Sequence, residues 1–141
     1  MLSPRPMLNF DAPYVTDIEI KSYPKPWLFK QFMADHRSVV GITDGKVVCY
    51  YCIQGYQLLR FAVHPSWRKC GVGTTLMEHV KRMHKVTIIV PESDEGAQLF
   101  LRSTGFQCVN VLEKTFNDLG NWEAGYFFLW KKTWESKPLE T

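Results

Sequence analysis

A chain of 141 residues with 45% hydrophobic content is long enough for one domain with a core of its own. A formal net charge of +3 is too small to argue for nucleic acid. No apolar run reaches the roughly 18 residues that cross a membrane, and Met1-Leu2-Ser3-Pro4-Arg5-Pro6 lacks the apolar stretch of a secretory leader, so a cytoplasmic protein is expected.

Residues 1–11 are Pro-rich and then briefly apolar at Met7, Leu8 and Phe10, which permits a short edge strand. Tyr14, Val15 and Ile18 recur at helical spacing between Pro13 and Tyr23, and Pro13 suits a first helical turn. Tyr23-Pro24-Lys25-Pro26-Trp27 ends that helix. Trp27, Phe29, Phe32 and Met33 predict a second short helix ending near His36. Ser38 to Thr43 is strand-like, and Asp44-Gly45 is a two-residue hairpin turn, because both residues tolerate φ > 0. Lys46 to Ile53 returns, Gln54-Gly55 turns again, and Gln57 to Val63 is the third strand of a meander.

That strand runs into His64-Pro65-Ser66-Trp67-Arg68-Lys69-Cys70-Gly71-Val72-Gly73-Thr74-Thr75-Leu76, and a helix is predicted from Val72 to His84. A helix start exposes about four unpaired N–H groups and roughly half a positive charge. Gly71 and Gly73 carry no Cβ, so an anion can approach the backbone closely. Arg68 and Lys69 add mobile positive charge, and the joint is built like a phosphate cradle. Neither a Walker A loop nor a dinucleotide fingerprint fits the spacing. Arg60, Arg68, Lys69, Lys81, Arg82 and Lys85, with Glu78 among them, read either as a solvated helix face or as a local site for a polyanion.

Val86 to Val90 reads as a strand buried on both faces, and the strand–helix–strand crossover leading to it implies a parallel pair. Ser93 is the predicted N-cap of the next helix, with Asp94 and Glu95 at its positive end. Ala97, Phe100, Leu101 and Thr104 share one face, and Gly105 stops the helix. Phe106 to Leu112 is a predicted strand, Glu113 to Trp122 a long loop, Ala124 to Trp130 a final strand, and 136–141 a polar tail. The expected fold class is α/β, with a mixed, mostly antiparallel sheet and one parallel crossover, as one domain over residues 1–135.

Cys49, Cys52, Cys70 and Cys108 read as free thiols of a reducing compartment. Cys49 and Cys52 lie three apart on a strand and so point to opposite faces, which disfavours a metal or disulfide pair. No metal site is expected.

Arg68, Gly71 and Gly73 match the Arg/Gln-x-x-Gly-x-Gly/Ala pyrophosphate loop of the GNAT acetyltransferases, and the chain resembles that family over essentially its whole length. Asp94 to Phe106 resembles the Asn-x-x-Ala-x-x-Leu-Tyr-x-x-x-Gly-Phe segment of RimI-type protein N-terminal acetyltransferases, and Tyr23 to Trp27 resembles their Phe/Tyr-Pro-x-Pro-Trp turn. The resemblance implies acetyl-CoA as cosubstrate, with pantetheine paired to Phe61, Ala62 and Val63 as an added strand would be. It implies pyrophosphate on Arg68 and on the N–H groups of Lys69, Cys70, Gly71, Val72, Gly73 and Thr74. Asp94 falls where the family has an Asn beside pantetheine, and a helix cap is the competing reading. Trp27, Phe29, Phe116 and Trp122 fall in the two regions where the family lays its acceptor.

The family's usual proton-transfer groups are replaced. Its thiolate-protonating Tyr falls on Leu101, the RimI-type glutamate on Ile89, and the histone-acetyltransferase glutamate on Gln57. Glu92, Glu123 and Tyr126 are the remaining weak candidates, and the catalytic groups stay unassigned. An α-amine, with pKa about 7.7–8.0, is partly neutral at pH 7, whereas a lysine at about 10.4 is not. The missing base therefore favours a protein N-terminus as acceptor, in a monomer or homodimer. The alternatives are a small-molecule amine, or a catalytically weak CoA-binding module.

Overall fold

The computed structural model describes residues 1–34 and 36–135, so the tail expected at 136–141 lies outside the described residues. The chain falls into two compact units, Met1–Arg82 and Met83–Thr141.

In the first unit, β1 (Ser3–Pro6), β2 (Arg37–Thr43), β3 (Lys46–Gln54) and β4 (Gln57–Val63) pair in chain order, each antiparallel to the next. The edge strand precedes the apolar residues expected to form it. Pro4 and Pro6 lack N–H donors and are tolerated there. Met7 is instead buried and Phe10 joins a 3-10 turn, Asn9–Asp11. The helices of this unit are α1 (Ala12–Ser22), α2 (Phe29–Phe32) and α3 (Val72–Val80). The last is shorter than the predicted Val72–His84.

Alternation along β3 sorts this core into two faces. Tyr50 and Cys52 join Val15 and Ile18 of α1, Phe32 of α2, Val40 and Ala62. Tyr51 points to the other face, where its hydroxyl meets Nδ1 of His79 on α3 at 2.9 Å. Leu76, Met77 and Val80 give α3 a buried stripe at i, i+1 and i+4. Full burial of a side chain of this size contributes about 1.5–3 kcal/mol. Cys49 and Cys52 are both buried, and all four cysteines are free thiols.

In the second unit, β5 (Lys85–Pro91), β6 (Gln107–Asp118) and β7 (Asn121–Lys131) form an antiparallel ladder with β7 in the middle, accompanied by α4 (Glu95–Ser103) and α5 (Lys132–Glu135). Two expectations are corrected here. Asp94, not Ser93, is the N-cap of α4, its Oδ1 accepting the Ala97 N–H at 3.1 Å. The segment read as a loop over Glu113 to Trp122 is most of a hairpin. Asp118 pairs with Asn121 around Leu119-Gly120, and register shifts between Cys108/Asn110 and Leu112/Phe116 absorb the extra residues. The α/β class and the mostly antiparallel sheet are as expected.

Candidate functional site: a helix start after β4

β4 ends at Val63, and His64 opens a single 3-10 turn, Pro65–Trp67. The ring of His64 caps that turn, its Nδ1 accepting the Ser66 N–H at 3.0 Å. Lys69 then takes φ 61° and Gly71 φ 82°, and Gly71 is the N-cap of α3. A Cβ on Gly71 would meet no atom within 4 Å, so glycine is required there by backbone conformation and not by crowding.

Two features keep this helix start open to an anion. Gly71 offers no side-chain cap. The Thr75 N–H closes onto the Gly71 carbonyl at 3.0 Å, which leaves the N–H groups of Val72, Gly73 and Thr74 without an intrahelical partner. The first turn holds no acidic side chain, so nothing opposes an incoming negative charge. These residues fit a pyrophosphate.

The surrounding cations are less mobile than the sequence implies. Arg68 turns back on the strand, its Nε donating to the Val63 carbonyl at 3.0 Å and Nη2 to Ser22 Oγ at 3.2 Å. Arg60 is paired with Glu19 and Arg82 with His79. Burial first, then the charges of Arg82 and Arg37, hold the His79 pKa below its ordinary value, so Nε2 accepts from Arg82. Arg60, Arg68 and Arg82 are therefore each held by a neighbour within the first unit. Arg68, Lys69 and Cys70 are exposed beside the helix start.

The backbone of β4 divides by parity. The His64 N–H donates to Val48 of β3 at 2.7 Å, whereas Phe61 and Val63 hold groups outside that strand. Neighbouring residues on a strand face opposite ladders. The peptide groups of Ala62 therefore face β3, and those of Phe61 and Val63 face away. Of the three residues expected to pair with pantetheine, Ala62 is withdrawn on this ground.

Phe61 already has a partner that sequence reasoning missed. The Tyr23 hydroxyl donates to the Phe61 carbonyl at 2.9 Å and accepts the Phe61 N–H at 3.2 Å. The Arg60 guanidinium lies 4.2 Å from the centre of the Tyr23 ring and 4.5 Å from that of Trp27. Glu19, fully buried on α1, holds Arg60 from below. Its signal was legible: with Val15 and Ile18 facing the core, position 19 shares that face at i+4.

The other expected residues divide as follows. Trp27 packs edge-on against Phe32, with centroids 5.1 Å apart, and its backbone N–H donates to Glu19 Oε2 at 2.8 Å, while Phe29 packs on the same core. Both carry the structure of the first unit. In the second unit, Ile89 pairs with Phe127, and its side chain fills the space over Gly125, where a Cβ would come within 2.8 Å of it. Leu101 is buried in α4. Glu92 and Glu123 brace the strand ends: Glu123 Oε1 accepts the Ser93 N–H at 2.9 Å, and Glu92 Oε1 accepts the Ala124 N–H at 3.4 Å. Tyr126 sits on β7 opposite Val90 and Val111. Asp94 is a helix cap. Phe116 pairs with Glu123, and Trp122 is 56% exposed near the tip of the hairpin. Among the described residues no His, Cys, Asp and Glu cluster could hold a metal, and no helix is long and apolar enough to cross a membrane.

Residues 32–108 match the family model described as an acetyltransferase (GNAT) domain. The ribosomal-protein-S18-alanine N-acetyltransferase of Escherichia coli superposes with a TM-score of 0.79 at 21% identity, covering 93% of this chain and 94% of that one. NAA60 of Arabidopsis thaliana, solved with a bisubstrate analogue, gives 0.81 at 16% identity over 93% and 98%. A GNAT family acetyltransferase of Elizabethkingia anophelis with acetyl-CoA bound gives 0.75 at 14% identity over 92% and 97%. At these identities the likeness is one of fold. No curated protein sequence matches the chain.

Proposed function

The chain belongs to the GNAT acetyltransferase family, and we propose that it transfers the acetyl group of acetyl-CoA directly to a primary amine, the α-amine of a protein or peptide N-terminus, as a RimI-type enzyme. The observation that carries the cosubstrate is the uncapped helix start at Gly71, with three first-turn N–H groups lacking helical partners. A diphosphate would be held there, with Phe61 and Val63 presenting the outward backbone of β4 to the chain that follows it. The acceptor rests on the chemistry of the missing base. With Ile89 apolar and Leu101 buried at the family's proton-transfer positions, an amine that is already partly neutral near pH 7 suits this site better than lysine. Four free thiols support a reducing compartment such as the cytoplasm.

The experiment is a thiol-release assay with acetyl-CoA against three acceptor classes: peptides with free N-termini, N-blocked lysine peptides, and small polyamines. Release with the first class and little with the others is the expected result. A preference for lysine, or a rate that rises only above about pH 9 as lysine deprotonates, would defeat the N-terminal acceptor. Gly71→Glu places a carboxylate at the helix start and is expected to abolish acetyl-CoA binding in calorimetry. Binding without thiol release from any acceptor would leave a CoA-binding module.

A further inference from the structure

We propose that Tyr23 is the acid of the acetyl transfer, donating its phenolic proton to the departing thiolate; this rests on the acetyl-CoA reading above. A cosubstrate with its diphosphate at Gly71 and its chain running back along β4 passes Val63 first and Phe61 last. The two positions are about 7 Å apart on a strand. The thioester is the end of the molecule farthest from the diphosphate, so it lies at the Phe61 end. A hydroxyl already stands there, 2.9 Å from the Phe61 carbonyl and 3.2 Å from the Phe61 nitrogen. An acyl oxygen that takes the Phe61 N–H displaces the phenol only from its acceptor role. The phenolic proton, now directed at the Phe61 carbonyl, is then free to turn to sulfur.

The phenol is held for this task. The guanidinium of Arg60 on β4 lies 4.2 Å from its ring centre and places positive charge against the ring as the proton leaves. Glu19 on α1 fixes that guanidinium through a 3.1 Å contact and is itself held by the Tyr50 hydroxyl of β3 at 2.5 Å. Arg60, Glu19 and Tyr50 bring charged and titratable groups toward Tyr23 from β4, α1 and β3, and Arg68 is bonded to the neighbouring Ser22. In the reaction the amine nitrogen bonds to the acyl carbon, the C–S bond breaks with its electron pair on sulfur, and the Tyr23 proton passes to that sulfur. The proton released by the nitrogen returns through water to the phenolate, so atoms and charge balance. Leu101, at the family's acid position, has no proton to give.

The test is Tyr23→Phe, compared with wild type by acetyl-CoA calorimetry and by thiol release with the acceptor panel. The variant removes one oxygen and with it the Tyr23 contact to the Phe61 N–H, so acetyl-CoA binding is expected to be unchanged or tighter, which also reports a folded protein. The expected kcat falls about 100-fold, at the low end of acid–base effects, without a rise in the acetyl-CoA KM. The wild-type rate is expected to fall at alkaline pH as the phenol loses its proton, and the variant is expected to lack that limb. Wild-type turnover with a variant kcat within about twofold, or an unchanged alkaline limb, would overturn the assignment of Tyr23 alone. No turnover by wild type with any acceptor would overturn the proposed function and this assignment with it.

Discussion

Glu19 on α1 and Arg60 on β4 form an ion pair, Oε2 to Nε 3.1 Å, in which the carboxylate side chain is fully buried and the guanidinium 18% exposed. A buried carboxylate is costly unless its lone pairs are filled. Here they are filled by Arg60, by the Tyr50 hydroxyl at 2.5 Å and by the backbone N–H of Trp27 at 2.8 Å. The pair therefore fixes where the Tyr23–Trp27 turn stands relative to β4. Burial first, then the hydrogen bond to Glu19, push the Tyr50 phenol far above its ordinary pKa, so it remains a donor.

Removing the carboxylate leaves the Arg60 Nε and the Tyr50 hydroxyl without the acceptor they share. Glu19→Ala is expected to destabilise the protein by about 3–5 kcal/mol, the range for breaking a buried pair from one side. Urea unfolding measures it. A loss under about 1 kcal/mol, typical of exposed pairs, would show that water replaces the carboxylate.

Asp11 sets an acid limit on stability. Burial alone would raise its pKa, but two hydrogen bonds from Arg5 and one from the Leu8 N–H, each 2.8 Å, together with the Arg5 charge, outweigh it and hold the carboxyl below its ordinary value. A depressed folded pKa gives stability that is present above the unfolded value, about 3.9. That stability is lost as pH falls through the folded value. Unfolding free energy is therefore expected to drop below about pH 4, and Arg5→Met to flatten that drop. Equal acid slopes in the two proteins would remove Asp11 from the account.

The cysteines report the site by their reactivity. Burial pushes the Cys49 thiol up to about 12, and burial also raises Cys52, so neither offers a thiolate in the native protein. Cys70 is exposed between Lys69 and Gly71. Iodoacetamide at neutral pH is expected to label Cys70 and to spare Cys49 and Cys52 until the chain unfolds, by peptide mapping. Acetyl-CoA is expected to slow labelling at Cys70. Unchanged labelling at saturating cosubstrate would move the diphosphate away from this loop.

Local signals carried most of the fold. Asp44-Gly45 was legible as a hairpin turn, and both residues do take positive φ, 51° and 72°. The helix start at Val72 was legible because Gly71 and Gly73 lie between the strand pattern that ends at Val63 and an apolar helical stripe. The hairpin of β6 and β7 was not, since its register shifts break the alternation that marks a strand and its turn carries Leu119 where Asn or Asp is usual. In the site, a glycine pattern announces a helix N-terminus, but the Tyr23 contact joins positions 38 residues apart. The sequence marks Tyr23 as part of a turn and is silent on where its hydroxyl goes.

Leu119 and Gly120 repeat the geometry of the Asp44-Gly45 turn, with φ of 50° and 85°. Both central residues at positive φ define the type I′ turn, whose twist matches the flanking strands. Glycine adopts this conformation freely, whereas leucine is strained there by roughly 1–2 kcal/mol. Leu119 recovers little of that cost by packing, because it is 95% exposed. Asn117 Oδ1 already accepts the Gly120 N–H at 2.9 Å, so the turn is held from its first strand whatever residue stands at 119. Asparagine tolerates the left-handed region far better than leucine. Leu119→Asn is therefore expected to stabilise the protein by about 0.5–1 kcal/mol, within the range of turn optimisation. The measurement is the urea midpoint at unchanged slope. A lower midpoint would mean that the leucine side chain is covered in solution and that burial, not backbone conformation, decides the residue at the turn.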